Sequence, residues 1–328
     1  MPEPTHDSPD ERNTAHDSSG CESQPGRNDL PKPLPDDVIR AWENAGAKFY
    51  WQTPDWELHE KPVPRALPGF VVFEPIQRLL PSPDVPFFVC APGEDVRDVH
   101  LKSITRFRNL TSLDLDGSSV TDTGLKELVG LKTLTHLNLK YTRVTGAGLK
   151  ELTELTHLNM EESQLTDAGL KELAGLSNLI HLAVFHNRLP TCAGLQVLSN
   201  LKNLTHIEIG FTWLTDAGLK ELAGLKNLTG LGLSHTQVTD VGMKDLAGLT
   251  NLTWLDLSST QVTNVGIKEI ARLRTLTRLE LRNTGITDAS LKELAGLTNV
   301  KHLDLSETKV TDAGKRRLSA TMRNTTIY

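Results

Sequence analysis

The sequence predicts a curved α/β solenoid with a parallel β-sheet on the concave face and short helices on the convex face. Three observations carry that prediction. First, an apolar L-x-L pair, a small polar residue and then V-T-D-x-G-L-K-E-L recur along most of the 328 residues, as in the stretch 238–255, VTDVGMKDLAGLTNLTWL. Second, the spacing is nearly fixed. The first leucine of the pair falls at Leu113, Leu137, Leu158, Leu182, Ile207, Leu231, Leu255, Leu279 and Leu303, and with a decayed copy at Val89 the steps are 24, 24, 21, 24, 25, 24, 24, 24 and 24 residues. A fixed period marks stacked units, none of which can bury its apolar face alone. Third, each unit alternates with period two over its leucine pair and then changes to helical spacing, which reads as strand followed by helix.

In chain order, residues 1–33 are Pro, Ser, Asp, Glu and Asn with almost nothing apolar. Such a segment cannot bury enough surface to offset its ordering entropy, and a disordered acidic leader is expected there. Residues 34–88 are expected to form an N-terminal capping segment. Asp36 and Asp37 open a helix in which Val38, Ile39, Ala41, Trp42 and Ala45 fall at helical spacing, and Gly46 suits the left-handed stop. An extended run, 47–51, follows, and nine prolines between Pro54 and Pro92 block regular helix. A first repeat left bare would expose its leucines, so a unit of different composition is expected to cover it. The rival reading of this segment is a small ligand-binding module. Trp42, Trp51 and Trp56 favour it, and no polar constellation accompanies them.

The repeats are read over 89–314, about ten in all. The stretch 96–104, VRDVHLKSI, matches the motif position by position with His100 where glycine stands elsewhere. Within each unit the aspartate before the helix (Asp122, Asp167, Asp216, Asp240, Asp288, Asp312, with Asn264 in one copy) is expected to cap it by accepting a first-turn amide. The turn after the strand holds Ser118, Thr142, Ser163, Asn187, Thr212, Thr236, Thr260, Thr284 and Thr308, whose side chains are expected to satisfy backbone groups of the stack. Residues 315–328 are expected as a C-terminal cap strand. Lys315, Arg316 and Arg317 stand where the leucine helix would be, and Ile327 lies 24 residues after Leu303.

Written out as L-T-x-L-x-L-x-x-T-x-V-T-D-A-G-L-K-E-L-A-G-L-K-N, the unit resembles the leucine-rich repeat in its short bacterial form. In its T-D-x-G-L it is similar to the cysteine-containing repeats of F-box proteins. The likeness covers about residues 89–328. It implies a binding scaffold whose customary interaction surface is the concave face, and it leaves the partner unnamed. A role as substrate-recognition subunit of a larger complex is a further implication, although no F-box-like helical bundle precedes the repeats. A purely structural spacer is the alternative.

Composition narrows the function classes. A net charge of −6 and a pI near 6.0 argue against nucleic acid, which calls for a concentrated basic face. Cys21, Cys90 and Cys192 are too few and scattered for a disulfide framework or a zinc site. With no apolar run long enough for a membrane span and no cysteine-rich caps, a cytoplasmic, monomeric protein is expected. Asn-x-Thr triplets at Asn109, Asn203, Asn227 and Asn251 are explained as the repeat's own K-N-L-T. No G-x-S-x-G, H-E-x-x-H or phosphate-cradling loop is present, so no catalytic residue, metal ligand or cofactor is assigned.

The candidate site lies at outward positions. The residue before each first leucine reads His136, His157, His181, His206, Gly230, Trp254, Arg278 and His302, so four consecutive strands carry a histidine row. Adjacent imidazoles are chemically able to share a metal or to switch with pH, while the T-H-L triplet is equally a habit copied by duplication. More discriminating are positions that differ between repeats. Phe185, His186, Phe211, Trp213 and His235 join His181, His206 and Trp254 in the middle of the array, an aromatic patch of the kind a protein-binding hot spot uses. Both length irregularities flank it: the three-residue deletion after Leu137 and the one-residue insertion around 189–192. They shape the site or record neutral drift. Charge is uneven, with Asp114, Asp116, Glu161 and Glu162 toward the start and Arg188, Arg278 and Arg282 toward the end. That arrangement either orients a partner or is an ordinary mixed surface.

Overall fold

The computed structural model describes residues 32–53, 56–62, 66–72, 80–187 and 192–328; the expected leader up to residue 31, Arg188 and residues 189–191 of the insertion lie outside them. The first elements are α1 (Asp36–Glu43), β1 (Ala47–Gln52), β2 (Leu58–His59), β3 (Leu67–Val72), β4 (Phe87–Cys90), α2 (Asp98–Ile104) and β5 (Leu110–Asp114). Next come α3 (Asp122–Glu127), β6 (His136–Asn138), β7 (His157–Asn159), α4 (Asp167–Glu172), β8 (His181–Ala183), β9 (His206–Glu208), α5 (Asp216–Leu222) and β10 (Gly230–Gly232). The chain closes with α6 (Met243–Leu246), β11 (Trp254–Asp256), α7 (Asn264–Ile270), β12 (Arg278–Glu280), α8 (Leu291–Leu294), β13 (His302–Asp304), α9 (Asp312–Thr321) and β14 (Thr326–Ile327).

These strands form one open 14-stranded sheet, parallel from β3 through β14, with β1 antiparallel to both β3 and β2. The register is the repeat itself. Leu113, Leu137, Leu158, Leu182, Ile207, Leu231, Leu255, Leu279 and Leu303 face one another across successive strands and are buried. Each repeat advances the sheet by about 4.8 Å, whereas packed helices need about 8–10 Å, so the sheet lines the shorter, concave side. No helix among the described residues is long and apolar enough to cross a membrane.

Where the sequence suggests an aspartate cap, the structure gives that role to the preceding threonine. Thr121, Thr166, Thr263, Thr287 and Thr311 accept first-turn amides through Oγ1. The aspartate instead reaches the next repeat. Asp240 accepts from Thr263 N at 2.8 Å, Thr263 Oγ1 at 2.6 Å and Gly266 N at 2.9 Å. Asp98, Asp122, Asp216 and Asp288 hold Thr121, Thr145, Thr239 and Thr311 in the same bidentate way. A carboxylate satisfies two or three donors this way, against one at a cap, and charge-assisted bonds are the stronger kind.

The same contact explains the glycine of T-D-x-G. A Cβ on Gly266 would stand 2.6 Å from Asp240 Oδ1, and one on Gly242 2.6 Å from Asp216 Oδ1. Asn264, which stands in place of the aspartate, reaches the following copy, and there Ser290 replaces the glycine and is buried. In the segments that lead into the strands, the side-chain amides of Asn109, Asn203, Asn227 and Asn251 donate to carbonyls of the preceding unit at 2.8–2.9 Å.

At the N-terminal end the leucine core gives way to aromatics. Trp42, fully buried, stacks on Phe70 with centroids 4.3 Å apart, meets Phe87 and Phe107 at 6.3 and 5.2 Å, and donates from Nε1 to Pro81 O at 3.0 Å. This group is continuous with the leucines of the array. The boundary expected at residue 89 falls inside β4. At the other end the boundary expected at 315 falls inside α9: Lys315, Arg316 and Arg317 continue a helix rather than replace one, and Ile327 on β14 pairs with Leu303.

Candidate functional site

The positions that alternate away from the leucine core form a floor on the sheet face, and the turns after the strands form its rim. The eight residues singled out by sequence divide between them. His181, His206 and Trp254 are the first residues of β8, β9 and β11 and lie on the floor. Phe185, His186, Phe211 and His235 lie in the turns on the rim, and Trp213, just past the turn residue Thr212, is 59% exposed. The single patch expected from sequence is therefore two rows of rings.

The rim row follows from backbone geometry. Tyr141, Glu162, His186, Phe211, His235, Ser259, Asn283 and Glu307 all have φ between +47 and +57°, one left-handed residue per repeat. That conformation costs a side-chain-bearing residue about 1–2 kcal/mol. It turns each amide onto the next repeat: His186 N donates to Gly210 O at 3.1 Å, Phe211 N to Ser234 O and His235 N to Ser258 O, both at 2.8 Å. Residues carried on such a turn come into stacking range. His186 and Phe211 have centroids 3.9 Å apart, Phe211 and His235 3.8 Å, and Phe185 meets Phe211 edge-on at 4.9 Å.

The floor row begins with histidines. His136 and His157 stack at 4.1 Å and 8°, followed by His181 at 5.8 Å and His206 at 5.6 Å. Trp56, which the sequence grouped with the cap, closes the row edge-on to His136 at 6.1 Å. Thr135 Oγ1 donates to Thr111 O at 3.1 Å and therefore meets His136 Nδ1, at 2.9 Å, as an acceptor. Thr156 and Thr205 do the same for His157 and His206. This assigns the ring hydrogen to Nδ1 and leaves Nε2 as the acceptor. Burial, then the neighbouring His157 and His181, push the His136 pKa down to about 4, and burial lowers those of His157 and His206. His136, His157 and His206 are thus neutral rings near pH 7. Among the described residues no group of three or more His, Cys, Asp or Glu side chains is placed to hold a metal ion.

Beside the histidines lies a polar cluster that the sequence did not bring together. Gln52 of β1 accepts from Ser112 Oγ at 2.7 Å, 60 residues away. Asp114 accepts from Asn138 Nδ2 at 2.9 Å and Asp116 N at 3.0 Å, with the Cys90 sulfur 3.5 Å from its other oxygen. Burial raises the Asp114 pKa to about 6 and raises that of Cys90 far more, so Cys90 stays a thiol and lacks nucleophilic character.

Several of the unevenly placed charges are paired within the chain. Lys140 pairs with Glu161 at 2.9 Å, Arg278 with Glu280 at 2.7 Å, and Arg282 with Glu307. Arg188 lies outside the described residues.

Two models described as leucine-rich repeats match the sequence, one over residues 202–262 and the other over 108–129, 130–153, 152–174, 272–295 and 296–317, together just over half of the chain. The chain belongs to the leucine-rich repeat family. No curated protein matches this leucine-rich repeat chain. Among solved structures it is similar to an internalin from Listeria monocytogenes, at 22% identity over 73% of this chain and 85% of that one, with a TM-score of 0.44. It is similar to a leucine-rich repeat protein from Leptospira interrogans, at 23% identity over 69% and 74% of the two chains, with a TM-score of 0.45. A plant peptide hormone receptor in complex with RGF2 is similar at 15% identity over 73% and 42%, with a TM-score of 0.47.

Proposed function

We propose that this leucine-rich repeat chain is a non-catalytic scaffold that binds a protein partner through the concave side of its sheet. The observation that carries the reading is the rim stack of His186, Phe211 and His235, with Phe185 against it. Phe211 remains 38% exposed although its ring is sandwiched between two imidazoles. Rings held side by side by the backbone present apolar area with little rotamer freedom left to lose, which suits an interface hot spot. The reading includes a monomeric, cytoplasmic chain, on the compositional grounds given above, with residues 34–88 as its N-terminal cap.

The test is affinity capture from the soluble extract of the source cell, comparing the wild type with a Phe211→Gly variant whose circular dichroism is unchanged. A protein retained by the wild type and lost by the variant supports the rim as the docking site. Equal capture by both, or capture by neither, overturns it.

A further inference from the structure

The last position of each strand reads Glu208, Gly232, Asp256, Glu280 and Asp304 from β9 to β13, and these residues face one another in register. Like charges on neighbouring strands, about 4.8 Å apart, repel. Burial first, and Glu280 second, raise the Asp256 pKa. The two arginines at this end neutralise only part of the row: Arg278 pairs with Glu280 at 2.7 Å, and Arg282, paired with Glu307, also lies within electrostatic reach of Asp304.

Over this acidic floor lies an indole. Strand β10 carries glycine at both outward positions, and the space they leave is shared by the His206 imidazole, the nearest group at Gly230, and the six-membered ring of Trp254. A Cβ on Gly230 would be 3.0 Å from Trp254 Cε3, and one on Gly232 would be 3.2 Å from Cη2 and 3.4 Å from Glu208 Cγ. On its opposite edge Nε1 donates to Glu280 Oε1 at 3.1 Å. The indole thus spans from β10 to β12, half-buried on the outward side of the sheet beside His206, with Glu208, Asp256 and Glu280 around it. An aromatic face in a negative field attracts a cation, and a planar guanidinium stacks on it best.

We propose that Trp254, with Glu208, Asp256 and Glu280, seats an arginine side chain, so that the partner engages this face with a basic segment. The inference rests on the reading that a protein docks on the concave side, and it adds the chemistry of what docks. Fixed carboxylates on a stiff sheet supply charge complementarity without ordering new side chains.

The probe is an acetylated Arg-Gly-Arg-Gly-Arg amide peptide, titrated into the full-length protein while the Trp254 indole N–H resonance is followed, with Trp254→Phe identifying the signal. The expected result is a saturable shift. Replacing arginine by citrulline should weaken binding at least about tenfold, Trp254→Leu at least about fivefold and Asp256→Asn about threefold. Equal binding of the citrulline peptide overturns the proposal. So does arginine binding that salt abolishes but Trp254→Leu leaves unchanged, since that is attraction to an acidic surface and not a seat. If the peptide fails while Phe211→Gly still abolishes capture of a partner, the seat is wrong and the rim reading stands. If the peptide binds as expected and no protein is captured, the rim reading fails and the seat stands.

Discussion

The two halves of the sheet floor use one backbone for opposite chemistries. From β6 to β9 the first outward position is an unbroken row of histidines, and burial holds those whose titration is shifted in the neutral form. From β10 to β13 the same positions hold Gly230, Trp254, Arg278 and His302 beside a row of carboxylates. Register, leucine ladder and turn geometry do not change between them. The repeat therefore separates a framework that sets where side chains stand from outward positions that set what they recognise.

The largest effects should ignore that division. Leu158→Ala on the histidine side and Leu255→Ala on the acidic side each remove a buried rung, and each should lower stability by about 2–5 kcal/mol in urea titration. A large difference between them would mean that the halves unfold separately. Next comes the inter-repeat clamp. Asp240→Ala leaves three donors without their acceptor and should cost about 2–3 kcal/mol, whereas Asp240→Asn, which copies the natural Asn264, should cost about 1 kcal/mol or less. Equal losses would argue that the charge, rather than the geometry, carries the clamp.

Acid should separate the halves. His136 binds its proton near pH 6.5 when unfolded and near pH 4 when folded, so the unfolded chain holds more protons in that window. Stability should fall as pH drops from about 6.5 to 4, by at most about 1.4 kcal/mol per pH unit from this side chain, and His136→Gln should flatten the profile. Asp114 works in the opposite sense. Its folded pKa of about 6 lies above the unfolded value, so its contribution is present at low pH and lost as pH rises through 6. Asp114→Asn should therefore steepen the acid loss, as read from urea midpoints between pH 4 and 7. The smallest stability change belongs to the rim. Phe211→Gly removes a stacked ring but relieves a left-handed backbone, and stability should move by no more than about 1 kcal/mol while partner capture is lost.

Much of the framework was legible before any coordinates. The leucine phase placed every strand from β5 to β13, and five of the turn residues bond as expected: Thr142, Thr212, Thr236, Thr260 and Thr284 donate to the carbonyl three residues back at 2.6–2.7 Å, whereas Ser118 Oγ is buried without a partner among the described residues. The aspartate of V-T-D was visible, but its partner was not. A cap and an inter-repeat clamp require the same residue at the same place, and only the stacking distance between units decides which donors it meets. The site was legible as a set of unusual residues and not as an arrangement. A signal was present for the rim, since one residue before every turn threonine is left-handed, but side-chain identity hides it: phenylalanine, tyrosine and glutamate do not announce a positive φ as glycine would.

What the sequence by itself determined is the one-dimensional order: a period of about 24 residues puts apolar side chains on one face of each strand and forces each unit to stack on the next. What only the tertiary structure decided is everything that reads across that stack. His186 meets Phe211, Trp254 lies over Gly230, Gln52 meets Ser112 and Asp240 meets Thr263. The physical reason is that these contacts join residues about 23–60 positions apart. Their geometry depends on the advance per repeat, the twist of the sheet and the left-handed turn, quantities that a repeated motif carries identically in every copy.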